Sequence, residues 1–197
     1  MENMGTVVVG TAGPGDDWLC FFSSIANDNL FVVYGAWLEK SFNLGIIALG
    51  IGTSVIGAAE LSGESLTAVW ADRFGLKRSV IAGQTLCVIS YGMLPLLGQT
   101  LPAALTGLFT IFLIYEFTIV TSLSLSTELM PMPRATMMSG FFAAAGIGRV
   151  IGALIGGHVW QAGGVSATGL VSSAFNGLGL ASLIWGLRHW RKYKLHL

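Results

Sequence analysis

Asp28, Glu60, Glu116 and Arg149 each fall near the middle of a long apolar run. A charged side chain at the centre of a bilayer costs about 2.5–3.5 kcal/mol even on the most lenient insertion scales. Four such residues in one small bundle must therefore face protein, water or one another. Glu64 lies one helical turn beyond Glu60, so the two share a face, and the same stripe runs on towards Asp72. One arginine among three mid-run acids leaves carboxylates without a fixed partner. A low dielectric favours the neutral form of a carboxylic acid, which suits reversible protonation, and surplus carboxylates also suit a cationic solute. Asp28, Glu60, Glu64, Glu116 and Arg149 are thus the expected polar pathway. The plainer alternative is structural: Arg149 neutralises one acid, and the others hydrogen-bond to serine or backbone.

Other chemistries lack their residues. Gly10-Thr11-Ala12-Gly13-Pro14-Gly15 has no Gly-Lys-Ser/Thr ending, so it is not a phosphate-binding loop. His158, His189 and His196 are scattered, without metal-ligand spacing. Cys20 and Cys87 sit in separate apolar runs and read as small buried hydrophobes. Ser62 and the row Ser122, Ser124, Ser126 have no mid-run histidine to act as base. No enzyme activity, metal or cofactor is expected. Without a nucleotide site, any coupling must draw on an ion gradient. The formal net charge is zero, so no basic surface points to nucleic acid.

The elements that must position these residues are membrane helices. The chain is 53% hydrophobic and 10% charged, with a mean hydropathy of +0.73. Soluble domains carry about 25% charged residues, so too little polar material remains to cover a soluble core. Six apolar runs are predicted as transmembrane helices: 18–38, 44–70, 79–97, 101–126, 136–160 and 166–187. Each has roughly the 20 residues that cross ~30 Å of hydrocarbon. The reading is an all-α membrane domain over 17–190, with a disordered leader over 1–16 and a basic tail over 191–197. Arg73, Lys77, Arg78, Arg134, Arg188, Arg191, Lys192 and Lys194 fall on one side of this topology, and only Lys40 on the other. The positive-inside rule makes both termini cytoplasmic. Trp18, Trp37, Trp70, Trp160, Trp185 and Trp190 fall near run ends, as an interfacial aromatic belt requires.

Gly148, Gly152 and Gly156 repeat every four residues in the fifth run, with Ala144 extending the row. Such a face lets two helices approach closely, and it puts Arg149 at a helix–helix contact.

The loop Ala68-Val69-Trp70-Ala71-Asp72-Arg73-Phe74-Gly75-Leu76-Lys77-Arg78 resembles the signature loop of the major facilitator superfamily. That pattern is Gly-x-x-x-Asp-Arg-x-Gly and a basic cluster, between the second and third helices of each half. Asp72, Arg73, Gly75, Lys77 and Arg78 fit it; Ala68 and Leu76 depart from it. Three further stretches are similar to the family's second half: Trp37 to Phe42 with Leu49-Gly50, Glu60 to Glu64, and Glu128-Leu129-Met130-Pro131 with Arg134. The resemblance extends over about 17–190 and favours sugar-efflux-like and drug-efflux-like members. It implies one six-helix half of a transporter bundle, with Asp72 as the latch of a gating loop. It also implies proton-coupled export of small organic solutes across the plasma (inner) membrane. The family fold binds substrate between two such halves. A homodimer or a missing N-terminal half would then complete the cavity, with the lipid bilayer as the other partner. The rival expectation is a non-transporting scaffold or truncated remnant that packs through the glycine-rich helix.

Overall fold

The structure, a computed structural model, describes residues 14–129 and 134–193. Most of the expected leader, the break at 130–133 and the end of the basic tail lie outside the described residues. Among the described residues every regular element is helical. The helices are α1 (Pro14–Phe31), α2 (Tyr34–Phe42), α3 (Gly45–Leu66), a π-helical turn (Thr67–Ala71), α4 (Asp72–Phe74), α5 (Leu76–Gly92), α6 (Leu94–Leu97), α7 (Leu101–Leu129) and α8 (Arg134–Tyr193). Helix α1 begins at Pro14, inside the segment expected to be a leader.

Three stretches are long and apolar enough to cross a membrane: Gly45–Ala71, Leu101–Thr127 and Met137–Leu187. They contain the second, the fourth, and the fifth and sixth of the predicted runs. The remaining two runs fall on kinked rods. Between α1 and α2 the hydrogen bonds Val32 N to Asp28 O (3.1 Å) and Trp37 N to Val33 O (2.9 Å) carry the helix across a one-turn kink. Between α5 and α6, Met93 N donates to Ile89 O at 2.9 Å and Leu97 N to Met93 O at 3.2 Å.

Helix α8 is 60 residues long and breaks at Gly163 and Gly164. Gly164 has φ +60° and ψ −148°, a conformation open to residues without a Cβ. The break is a reversal, and contacts with α1 prove it. Before the break, Gly148, Gly152 and Gly156 lie against Phe21, Ile25 and Asn29 in ascending order. After it, Asn29 Nδ2 donates to Thr168 O and Ser172 Oγ, Phe22 stacks on Phe175, and Gly179 lies against Leu19. The order is descending, so the two arms run antiparallel with α1 between them.

This placement explains α1's composition. Residues 23–30 are all buried, among them Ser23, Ser24, Asn27, Asp28 and Asn29. A helix surrounded by protein can carry polar side chains that a lipid-facing helix cannot. That is why α1 does not rank among the apolar stretches. The rest of the bundle packs α5 against α7 and the second arm of α8, and α3 against α7 and α2. The main apolar cluster includes Trp37, Tyr91, Leu94, Leu108 and Phe112.

The aromatic belt needs correction at Trp37. Its side chain is 1% exposed and packs over Gly98, so it is a core residue rather than an interfacial anchor. Trp160 is partly buried against the same core. Trp18, Trp70 and Trp185 are each about half exposed. The side chain of Trp190 lies outside the described residues.

The glycine stripe gives a direct test. A methyl group on Gly152 would sit 2.6 Å from the Ile25 carbonyl oxygen, whereas one on Gly157 meets nothing within 4 Å. Gly152→Leu should destabilise the protein by about 1–3 kcal/mol through overpacking, and Gly157→Leu should be nearly neutral. Thermal melts of the two variants in one detergent check this.

Candidate functional site

Asp28 sits at the centre of the buried run Asn27-Asp28-Asn29 on α1. Gly152 brings the first arm of α8 so close that an added methyl would lie 3.1 Å from Asp28 Cβ. That approach sets Arg149 beside the carboxylate. The guanidinium Nε lies 3.3 Å from Asp28 Oδ2 and donates to Oδ1 at 3.4 Å. The two ends of the pair differ in environment: the Asp28 side chain is 11% exposed and that of Arg149 62%. The contact therefore sits at the edge between the protein interior and an open face. Beneath it, Tyr91 donates its hydroxyl to Asn27 Oδ1 at 3.2 Å.

A second glycine positions the glutamates. Gly63 on α3 packs onto α7, where an added methyl would lie 2.7 Å from Leu113 O and 2.9 Å from Glu116 Cβ. Glu60 and Glu64, one turn apart on α3, are thereby brought beside Glu116. Glu116 lies within electrostatic range of Glu60, Glu64 and Arg149, and Glu60 within range of Arg149 and Glu64. Glu60 and Glu116 are half-buried and Glu64 is exposed. Among the described residues, Asp28–Arg149 is the one ion pair. Asp28 alone contacts that guanidinium; Glu60 and Glu116 lie within its electrostatic range, and Glu60, Glu64 and Glu116 are left outside the pair.

The structure brings the five charged residues of the expected pathway together from α1, α3, α7 and α8. The expected loop lies apart from them, at one end of the bundle. Gly75 has φ +82° and ψ 130° and separates α4 from α5. Its carbonyl accepts from Arg78 N and Ser79 N, both at 3.1 Å, and so starts α5. Arg73, Lys77 and Arg78 are exposed there. The side chain of Asp72 lies outside the described residues. The stripe Gly148, Gly152, Gly156 is buried against α1 of the same chain, which takes up the face that a scaffold would offer to a partner.

One buried polar cluster went unpredicted. Gln84 Nε2 donates to Ser23 Oγ (2.9 Å), Asn176 O (2.9 Å) and Asn176 Oδ1 (3.1 Å), which ties α5, α1 and the second arm of α8 together. Nearby, Ser172 Oγ donates to Ala26 O at 2.7 Å. The available signal was an uncharged polar residue at the middle of an apolar run, at Gln84 and Asn176. Such groups must be satisfied within the bundle, because lipid offers no partner.

Compared with known proteins, residues 18–196 match the family model of the Major Facilitator Superfamily. No curated protein and no solved structure matches.

The ion pair is testable by a double-mutant cycle with Asp28→Asn and Arg149→Met. Because the guanidinium is more than half exposed, water screens the attraction, and a coupling of about 1 kcal/mol is expected. Additive single effects in thermal or denaturant unfolding would show that the contact contributes nothing.

Proposed function

The chain belongs to the Major Facilitator Superfamily, and from that premise we propose that it works as a secondary active transporter. In this reading its helices form six spans, the second half of the family's bundle. It exports small organic solutes, sugar-like or drug-like, in exchange for protons. It lies in the plasma membrane with both termini cytoplasmic, as the basic residues at one end of the bundle favour.

The convergence of five charged residues from four helices supports this most. Charges of this kind inside a membrane mark a substrate or ion pathway by default. A purely structural role would pair them off, yet Glu60, Glu64 and Glu116 stand outside the Asp28–Arg149 pair. In the mechanism we infer, a proton or a cationic solute neutralises part of this acidic face. Arg149 holds Asp28 in the resting arrangement and is close enough to Glu60 and Glu116 to stabilise either when ionised. Binding and release then change how strongly the first arm of α8 is held to α1 and α7. Two halves of the family fold rock about a site between them. A second copy of the chain, or a complementary half, would close the open charged face. The loop of Asp72, Arg73, Gly75, Lys77 and Arg78 would latch one state at the end of the bundle. The glycine-packed scaffold is the weaker alternative, since α1 already occupies the stripe.

Flux measurement in proteoliposomes tests both parts. With an imposed pH gradient and a panel of organic cations and sugars, the wild-type chain should exchange protons for at least one solute. Glu60→Gln and Glu116→Gln remove a group that can take up a proton, and each should lower that flux by about tenfold or more, about 1.4 kcal/mol in barrier. Their melting temperatures should stay close to wild type. Undiminished flux in both variants would remove the glutamates from the mechanism. Asp72→Asn should impair flux while leaving the amount of protein in the membrane unchanged. Full flux in that variant would rule out the latch.

A further inference from the structure

Helix α1 is buried from Ser23 to Leu30, and Phe31 is the residue at which it opens again, at 40% exposure. The direction of that opening follows from its neighbours. On one side the Phe31 ring meets Phe112 of α7 edge-on at 6.1 Å, with Tyr34 beside it at 5.5 Å. On the other side the next residue, Val32, lies against Gly156 of the first α8 arm. The open part of the ring therefore lies between α7 and that arm, the gap in which the charged residues stand. Helix spacing fixes the levels. Phe31 comes three residues after Asp28 and Phe112 four before Glu116, so each ring sits one turn from its acid on the same face. Thr53 of α3 gives its hydroxyl hydrogen to Leu49 O and so accepts that of Tyr34, at 2.7 Å. Glu60 follows Thr53 by two turns on the same helix. An aromatic shelf thus stands one level away from the glutamates that lie outside the ion pair.

We propose that Phe31 determines which solute is taken: its ring face holds the positive nitrogen of a quaternary ammonium, with Glu60 and Glu116 as the counter-charge. This rests on the reading of the charged face as the solute pathway, and it names the class of solute. The electron-rich face of a phenyl ring attracts a cation within about 6 Å of its centre. Phe31 and Phe112 carry no hydrogen-bonding group, and the Tyr34 hydroxyl already donates to Thr53. A primary ammonium has three N–H donors that need acceptors once water is removed, and a sugar has several hydroxyls with the same need. A fully alkylated nitrogen needs none and packs its carbon groups on the rings. The carboxylates stand about a turn below the rings, so they act on such a cation through charge. Arg149 is held by Asp28, which leaves the glutamates for the solute.

Equilibrium binding to the full chain in lipid nanodiscs tests the proposal, with radiolabelled tetraethylammonium as the probe. Benzyltrimethylammonium should displace the label about fivefold or more better than benzylamine, and benzyl alcohol should not displace it. Phe31→Leu should weaken binding about fivefold, the effect of one desolvated ring face on a cation. Phenylalanines with one, two and three ring fluorines at position 31 keep the shape of the ring and withdraw its electron density. Affinity should fall with each fluorine, whereas a ring that only packs would give a flat series; these variants decide the matter if Phe31→Leu does not fold. A flat series, equal displacement by benzylamine and benzyltrimethylammonium, or no binding of the label would each overturn the proposal. The fluorine trend without flux in proteoliposomes would contradict the transporter reading and leave the ammonium site in place. A flat series with binding lost in Glu60→Gln would keep the acidic face as the site and remove Phe31 from it.

Discussion

The close approach of the first α8 arm to α1 is the interaction on which the rest of the bundle depends. Gly148, Gly152 and Gly156 let backbone meet backbone where any side chain would hold the helices apart. The second arm, returned by the left-handed Gly164, closes over the other side of α1. Helix α1 is thereby removed from lipid, and only for that reason can it hold Ser23, Asn27, Asp28 and Asn29 in a membrane protein. The same approach brings Arg149 within reach of Asp28. A bulkier residue at position 152 would disturb both the packing and the ion pair.

The electrostatics follow from that geometry. The lone guanidinium of the cluster is committed to the carboxylate on the buried helix. The glutamates of α3 and α7 then face one another across the contact made by Gly63, like charges held close in a low dielectric. Such an arrangement is costly as a static device, because charge inside a membrane needs a partner or water. It suits a cycle in which protons or cationic solutes come and go. Membership of the Major Facilitator Superfamily fits this reading: the family's fold places a substrate site between two helical halves.

Much of this was readable from residue types alone, and the remainder has physical reasons for having been hidden. The mid-run acids and Arg149 announced themselves, because charge in hydrocarbon is expensive. The glycine stripe and Gly75 did so too, since spacing and positive φ leave a trace in residue choice. Which acid Arg149 would meet was not readable: pairing depends on which helices become neighbours. The kink at Val32–Val33 carries no proline, whereas the one at Met93 lies two residues before Pro95, in the turn that a proline bends. Trp37 fitted an interfacial position by its place in the run, but Gly98 opposite it makes room for the ring in the core. Gln84 and Asn176 were visible as polar residues in apolar runs, yet their joint role with Ser23 needed three helices to be placed.

In the proposed mechanism Glu60, Glu64 and Glu116 line a wet face within the membrane. Cysteine accessibility tests it most directly. Single replacements Glu60→Cys, Glu64→Cys and Glu116→Cys would be treated in native membranes with a water-soluble, membrane-impermeant thiol reagent. Cys20 and Cys87 are both buried and supply the background. Leu178→Cys, on the exposed apolar side of the second α8 arm, serves as the lipid-facing control. Labelling at 60, 64 and 116 with protection at 178 is the expected result. Protection of all three glutamate positions would mean that the charged face is sealed, and a transport pathway through it would be contradicted.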